Sequence, residues 1–174
     1  MQRPQPTSTE RTFGEDEIIV SKTDTKGRIL YANDVFCRVG SYEEHELVGQ
    51  PHSILRHPDM PRCVFQLLWD TISSGREIFA YVKNMAKNGD YYWVFAHVTP
   101  SYDRAGKIDG YHSNRRKPDA AALKQIAAIY QQLLAEEQRH ADRKQGQAAG
   151  VAMLQTMLAE RGQSYDEFVF SLGS

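Results

Sequence analysis

The sequence predicts an α+β domain, a five-stranded antiparallel sheet with short helices on one face, followed by amphipathic helices at the C-terminus. Three observations predict it. Strand-like runs and helical runs alternate in a distinctive order: two strands, several short helices, one longer helix, then three strands. Asn88-Gly89 between two apolar runs supplies the positive φ angles that a tight hairpin turn needs. After Lys117 the apolar spacing switches to the helical period and stays there.

Residues 1–14 are polar, carry Pro4 and Pro6, and read as a flexible lead-in, with Phe13 to Glu17 a short cap on the domain. Ile18 to Thr23 begins with β-branched residues and reads as a strand. Asp24 to Gly27 is a turn, and Arg28 to Ala32 is the return strand. Asn33 offers a side-chain acceptor to start a short helix through Val39. Ser41, with Glu44 three residues on, reads as the capping box of a second helix ending at Gly49. Asp59 or Pro61 opens a longer helix with Val64, Leu67, Leu68, Thr71 and Ile72 on one stripe, stopped by Gly75. Glu77 to Ala86, Tyr91 to Val98 and Ile108 to Asn114 read as the last three strands.

The domain is expected to span residues 15–117, with 118–174 a helical extension. Residues 119–145 hold no Gly or Pro, and Leu123, Ile126, Tyr130, Leu133, Leu134 and Glu137 recur at helical spacing. Gly146 and Gly150 read as a break. Val151, Leu154, Met157 and Leu158 form a second stripe, and Tyr165, Phe168, Val169 and Leu172 a third. Apolar stripes of that extent need a covering surface. They fold back on the domain, pair in a homodimer, or bind another protein.

Composition narrows the function. The chain has 174 residues, 41% hydrophobic and 25% charged, as a globular protein should. A net charge of -1 gives no pull toward nucleic acid or an acidic membrane. No apolar run reaches membrane-span length, and the N-terminus has no apolar signal core, so a cytoplasmic protein without membrane insertion is expected. Cys37 and Cys63 make no disulfide framework and read as buried thiols. No Gly-rich phosphate loop and no nucleophile–base grouping can be read, so an enzyme is not expected.

The chemistry concentrates in residues 50–61, Gln50-Pro51-His52-Ser53-Ile54-Leu55-Arg56-His57-Pro58-Asp59-Met60-Pro61. Pro58 and Pro61 lack a backbone donor and push the residue before each away from helical geometry. A stiff, irregular stretch mixing Ile54, Leu55 and Met60 with hydrogen-bonding side chains suits a pocket wall; a plain structural turn is the alternative. Arg56 suits bidentate phosphate contact or a local ion pair with Asp59. Asn84 falls in a strand interior, where Asn is disfavoured, and needs a partner if it faces the core.

Element order and motifs together resemble a PAS domain. More narrowly, Tyr31-Ala32-Asn33-Asp34, Gly49-Gln50-Pro51-His52, Arg56-His57-Pro58-Asp59-Met60-Pro61, Val82-Lys83-Asn84 and Lys87-Asn88-Gly89-Asp90-Tyr91-Tyr92-Trp93-Val94 resemble the sensor of bacterial aerotaxis receptors. The resemblance covers roughly residues 15–117. It implies non-covalent FAD binding, redox or oxygen sensing, and a signal passed to a chemoreceptor-type or other signalling partner. It carries cofactor-binding roles onto Asn33, Arg56, His57, Asp59, Trp69 and Asn84. The chain departs from the receptor pattern: it shows no membrane anchor and no long coiled-coil module, and so resembles a stand-alone flavin subunit of a two-protein energy-taxis system, or a sensor detached from its receptor. Ile78 stands where the family usually has a tryptophan. Two rivals stay open: a haem sensor using His52, His97 or His112 as axial ligand, and a cofactor-free interaction module.

Overall fold

A computed structural model describes residues 2–173, leaving Met1 and Ser174 outside the description. The domain is α+β, built on β1 (Ile19–Thr23), β2 (Ile29–Ala32), β3 (Ile78–Met85), β4 (Tyr91–Tyr102) and β5 (Ile108–Arg116). They form one antiparallel sheet in the order β2-β1-β5-β4-β3, so the first and last strands of the domain meet at its centre. Helices α1 (Asp34–Gly40), α2 (Glu44–Leu47) and α3 (Arg62–Ser73) connect the two halves. The hairpin at Asn88-Gly89 forms as expected, with Gly89 at φ 97° and unbroken register from Ile78↔Val98 to Met85↔Tyr91.

Side-chain alternation sorts the strands into two faces. Val82, Asn84, Val94, Ala96, Ser113 and Arg115 point to the side of α3 and line an interior cavity. Phe79, Tyr81, Trp93 and Phe95 point the other way and stack on one another or on the C-terminal helices. Phe36, Leu47 and Leu55 from the connecting segment fill the rest of the core with Ile19 and Ile29.

The C-terminal extension folds back on the domain. Helices α4 (Ala120–Gln138), α5 (Arg143–Arg161) and α6 (Tyr165–Ser171) bury Ile126, Tyr130, Leu133, Leu154 and Phe168 in the same core. They also cover the free edge of β3. Tyr130 Oη donates to Tyr81 O at 2.6 Å, and Tyr165 Oη donates to Phe79 O at 2.9 Å. An uncovered strand edge is a template for association, and two tyrosine hydroxyls remove that hazard here.

Four local expectations are corrected. The lead-in is docked: Thr7 N donates to Gly89 O at 2.9 Å, Arg11 N to Tyr91 O at 2.7 Å, and the Arg11 side chain reaches Asp90 and Val39 O. Ser41 does not cap α2. It ends α1 in the left-handed conformation at φ 57°, and Glu43 with Glu46 forms the capping box instead. Helix α2 stops at Leu47, and the chain reverses at Gly49 with φ 86°. Gly146 and Gly150 break nothing; they lie inside α5, where a Cβ on Gly146 would sit 2.5 Å from Glu137 O and one on Gly150 2.8 Å from Glu137 Cγ. They are sites of close helix approach, and the break falls before Asp142, which caps α5 by accepting from Gln145 N.

Candidate cofactor-binding site

Residues 50–61 strap the sheet from edge to edge. At the β2 end, Ile29 N donates to Gln50 O at 2.9 Å, Gly49 N donates to Ile29 O at 2.7 Å, and Arg28 bridges Pro51. At the β3 end, Arg56 bridges Asn84. Between these anchors a short 3-10 turn, His52–Leu55, crosses over the inner face. Prolines 51, 58 and 61 keep the strap from collapsing into a regular helix.

Under the strap lies a cavity of about 410 Å³, within the range of small-ligand sites. Leu68, Trp69 and Ile72 of α3 face Val82, Val94, Ala96 and Val98 of the sheet across it. The polar groups on its wall are few and directed. Asn84 is buried among the apolar strand residues. Trp69 meets Tyr111 edge-on at 5.6 Å.

Arg115 dominates the electrostatics. It is 2% exposed, lies over the Phe36 ring, and faces no carboxylate within ion-pair distance among the described residues. Its Nη2 donates to Ser21 Oγ at 2.6 Å and its Nη1 lies 3.3 Å from His52 Nε2, while Nε has no partner. Burial lowers its pKa to about 10. The same environment, with the Arg115 charge adding to burial, holds His52 down at about 3, so its ring is neutral and Nε2 accepts. Arg56 repeats the pattern: its guanidinium lies 3.9 Å above the Phe65 ring and its buried Nε is unpartnered. Tyr92 Oη completes no hydrogen bond either, although the Asn84 amide lies beside it. A charge-capable donor buried without a partner is costly. One buried guanidinium and one half-buried one, each with an unpartnered buried Nε, fit an anionic or acceptor-rich ligand.

Of the six residues singled out from the sequence, Arg56, Trp69 and Asn84 line this cavity and the other three do not. Asn33 is spent on the backbone: its Oδ1 accepts from Val20 N and Phe36 N, and its Nδ2 donates to Ile18 O. It holds α1 against β1. Asp59 does not pair with Arg56; it faces outward and pairs with Lys83 Nζ at 2.8 Å. His57 is buried on the far side of the strap, its Nδ1 accepting from Asp59 N at 3.0 Å. Burial and then Lys83 lower its pKa. Ile78 packs with Ile72 and Tyr111 in a small second cluster beside the cavity. His97 and His112 project from the opposite sheet face, His97 stacked on Phe79 and paired with Glu77. Among the described residues no cluster of side chains could hold a metal ion.

Sequence reasoning missed Arg115 and Ser21, and it gave His52, though part of the quoted motifs, a role only as a rival haem ligand. The signal was present in the period-2 run Tyr111, Ser113, Arg115, in which an arginine continues an inward-facing register.

Sheet, strap and connecting helices define an α+β domain that encloses a cavity of small-molecule size against one sheet face. The family model described as "PAS fold" matches residues 29–115, half of the chain, and the chain belongs to that family. It is 39% identical over 130 residues to the aerotaxis receptor of Escherichia coli (strain K12), covering 75% of this chain and 26% of the receptor. It is 29% identical over 99 residues to the nitrogen fixation regulatory protein of Klebsiella pneumoniae, covering 57% of this chain and 20% of that one. The chain thus spans about a quarter or less of these relatives' length. Among solved structures, the light-state structure of the blue-light photoreceptor Aureochrome1 LOV matches with TM-score 0.53 and 23% identity, over 70% of this chain and 91% of that one. A structure described as "Flavin Analogue Sheds Light on Light-Oxygen-Voltage Domain Mechanism" matches with TM-score 0.56 and 17% identity, over 66% of this chain and 86% of that one. At these identities the structural matches establish the fold alone.

Proposed function

We propose that this chain is a flavin-based redox and oxygen sensor that binds FAD in the cavity under the strap. The observation that carries the reading is the buried Arg115 guanidinium and the half-buried Arg56, neither paired with a carboxylate among the described residues, set beside the Asn84 amide in otherwise apolar walls. Flat aromatic ring systems need apolar walls, and Leu68, Ile72, Val82, Val94 and Val98 supply them. A flavin ring edge carries an amide-like donor and several acceptors. Asn84 matches either kind, and the arginines match acceptors. The relationship to the aerotaxis receptor supports the same reading.

When bound, the flavin supplies a ring whose charge and protonation follow its redox state. The chain's own residues provide the readout. Asn84 belongs to β3, and its backbone is bridged to Arg56 of the strap. The same strand carries the carbonyls that accept from Tyr130 of α4 and Tyr165 of α6. A change in the hydrogen bonding of Asn84 is therefore coupled, through one strand, to the C-terminal helices. Only a difference in contact between two ligand states moves such an equilibrium. The signal then passes to a chemoreceptor-type or other signalling partner, with homodimerisation through the helices or outer sheet face, in the cytoplasm and without catalytic turnover. Haem gains no support: His52 is the one histidine on the cavity wall, and its Nε2 faces Ser21 and Arg115.

An absorption spectrum of the purified chain tests the reading. Bands at about 375 and about 450 nm are expected for oxidised flavin, against one strong band at about 400 nm for haem. N84L should weaken flavin binding while leaving the fold intact. No flavin band after incubation with FAD would leave a cofactor-free interaction module. Unchanged hydrogen exchange outside the cavity on anaerobic reduction would defeat the signalling half.

A further inference from the structure

A second concavity opens beside the cavity, between α3 and α5, and encloses about 310 Å³. Four cations line it: Arg56, Arg62, Arg143 and Lys144. No acidic side chain lines it, and none of the four forms an ion pair among the described residues. Arg56, Phe65 and Trp69 border both spaces, so groove and cavity are continuous at the guanidinium stacked on Phe65. We infer that this groove is the subsite for the diphosphate of a dinucleotide, and that α5 of the C-terminal extension completes the cofactor site. The inference rests on the flavin reading and adds residues to it. Arg143 and Lys144 lie outside residues 29–115, the part the PAS family accounts for.

Like charges gathered without a counter-ion repel, and folding gathers them only where something else offsets the repulsion. Burial lowers the Arg56 pKa, and the charges of Arg3, Arg143 and Arg62, all of its own sign, lower it further. Arg143 and Lys144 are exposed and Arg56 and Arg62 half-buried, and three contacts fix the helices that bring them to one groove. The Gln147 amide donates to Gln66 Oε1 across the groove, tying α5 to α3. Glu137, at the end of α4, accepts from Arg62 N and Cys63 N. Gly146 and Gly150 let α5 approach the Glu137 backbone and Cys63. Glu137 spends both carboxylate oxygens on the α3 backbone; it feels the charge of Arg62 but forms no ion pair with any of the four cations. A diphosphate is the ligand chemistry that fits: two adjacent negative charges with several acceptor oxygens, matched to guanidinium donors and a lysine.

The test titrates the full-length apo chain with FAD, riboflavin and ADP, following flavin fluorescence. Wild type should bind FAD more tightly than riboflavin, and ADP should compete with FAD. In R143Q/K144Q, FAD affinity should fall by about tenfold or more, as expected for lost charge-assisted phosphate contacts. Riboflavin affinity should stay within about twofold of wild type, because the ring site is untouched. R62Q provides a second, independent variant with the same signature. Equal FAD affinity in both variants and wild type overturns the inference, as does a parallel loss for riboflavin. ADP that binds without displacing FAD puts the anion site elsewhere and also overturns it. A wild-type chain that binds riboflavin and FAD equally removes the subsite but leaves the sensor reading; one that binds neither removes both.

Discussion

Glu137 links the C-terminal extension to the cofactor wall, and replacing it with alanine measures that link. Helix α3 starts behind Pro61, which supplies no side-chain cap. Its first two amides are satisfied from 75 and 74 residues away, Arg62 N by Glu137 Oε2 at 2.8 Å and Cys63 N by Oε1 at 2.9 Å. Glu137 is 6% exposed, so water cannot take over either bond. Each hydrogen bond to a charged group contributes about 1.5–3 kcal/mol. A carboxylate at a helix N-terminus adds about 0.3–1 kcal/mol. Allowing for partial relaxation, E137A should lose about 3–5 kcal/mol, and E137Q, which keeps one acceptor oxygen, about half of that. Burial pushes the Glu137 carboxyl above its ordinary value, against the pull of the two amides and Arg62. A folded value above the unfolded one means that this titration favours folding fully below the unfolded value of 4.5 and less as pH rises through the folded value. The gap between wild type and E137A should therefore narrow as pH rises. Urea denaturation of the apo chain reads the effect: with a slope of about 2–3 kcal/mol/M, the E137A midpoint should drop by more than about 1 M. A drop below about 0.3 M, or E137Q matching E137A, refutes the idea that the extension holds α3 in place.

Three further outcomes follow from the same contacts. Y130F should cost about 1–2 kcal/mol, because the buried Tyr81 carbonyl loses its donor across the β3 edge; an unchanged melting temperature argues against edge capping. His52 has a folded value of about 3 against 6.5 unfolded, so the stability it confers is complete above pH 6.5 and is lost as pH falls toward 3. Between pH 6.5 and about pH 5, wild type should lose about 1–2 kcal/mol more than H52Q, after allowance for screening at the cavity mouth; parallel acid profiles would show that His52 is not held neutral. Neither cysteine lines the cavity, and burial followed by Glu137 pushes the Cys63 thiol up to about 12. Illuminated flavin-loaded protein should therefore form no thioether adduct, and C37A/C63A should leave the spectrum unchanged; a bleached 450 nm band that depends on either thiol contradicts this placement.

The strap's residues include both cavity groups and groups directed away from it, and local sequence could not separate them. Arg56 and His57 are neighbours, yet Arg56 reaches the cavity while His57 turns to the far side, because an extended backbone sends successive side chains to opposite faces. Asn33 looked like a ligand in the same motif set, but two backbone amides claim its oxygen. Arg115 shows the reverse failure. In sequence it opens a basic tract that ends the domain; in the fold, Ser21 lies 94 residues away and meets it at 2.6 Å.

Short-range stereochemistry was enough, from the sequence alone, to settle several features: the Asn88-Gly89 hairpin, the proline-stiffened strap, the stripe of α3 and the helical character after Lys117. Each depends on backbone preferences or periodicity within a few residues. Tertiary structure alone decided which polar groups meet. Pairing β1 with β5 brings Ser21 to Arg115, and the strap's anchors at both sheet edges open the cavity. Folding α4 and α5 back places Glu137 on the amides of α3 and Arg143 beside Arg56. Contacts between residues dozens of positions apart are fixed by packing and strand register, and no local propensity encodes them.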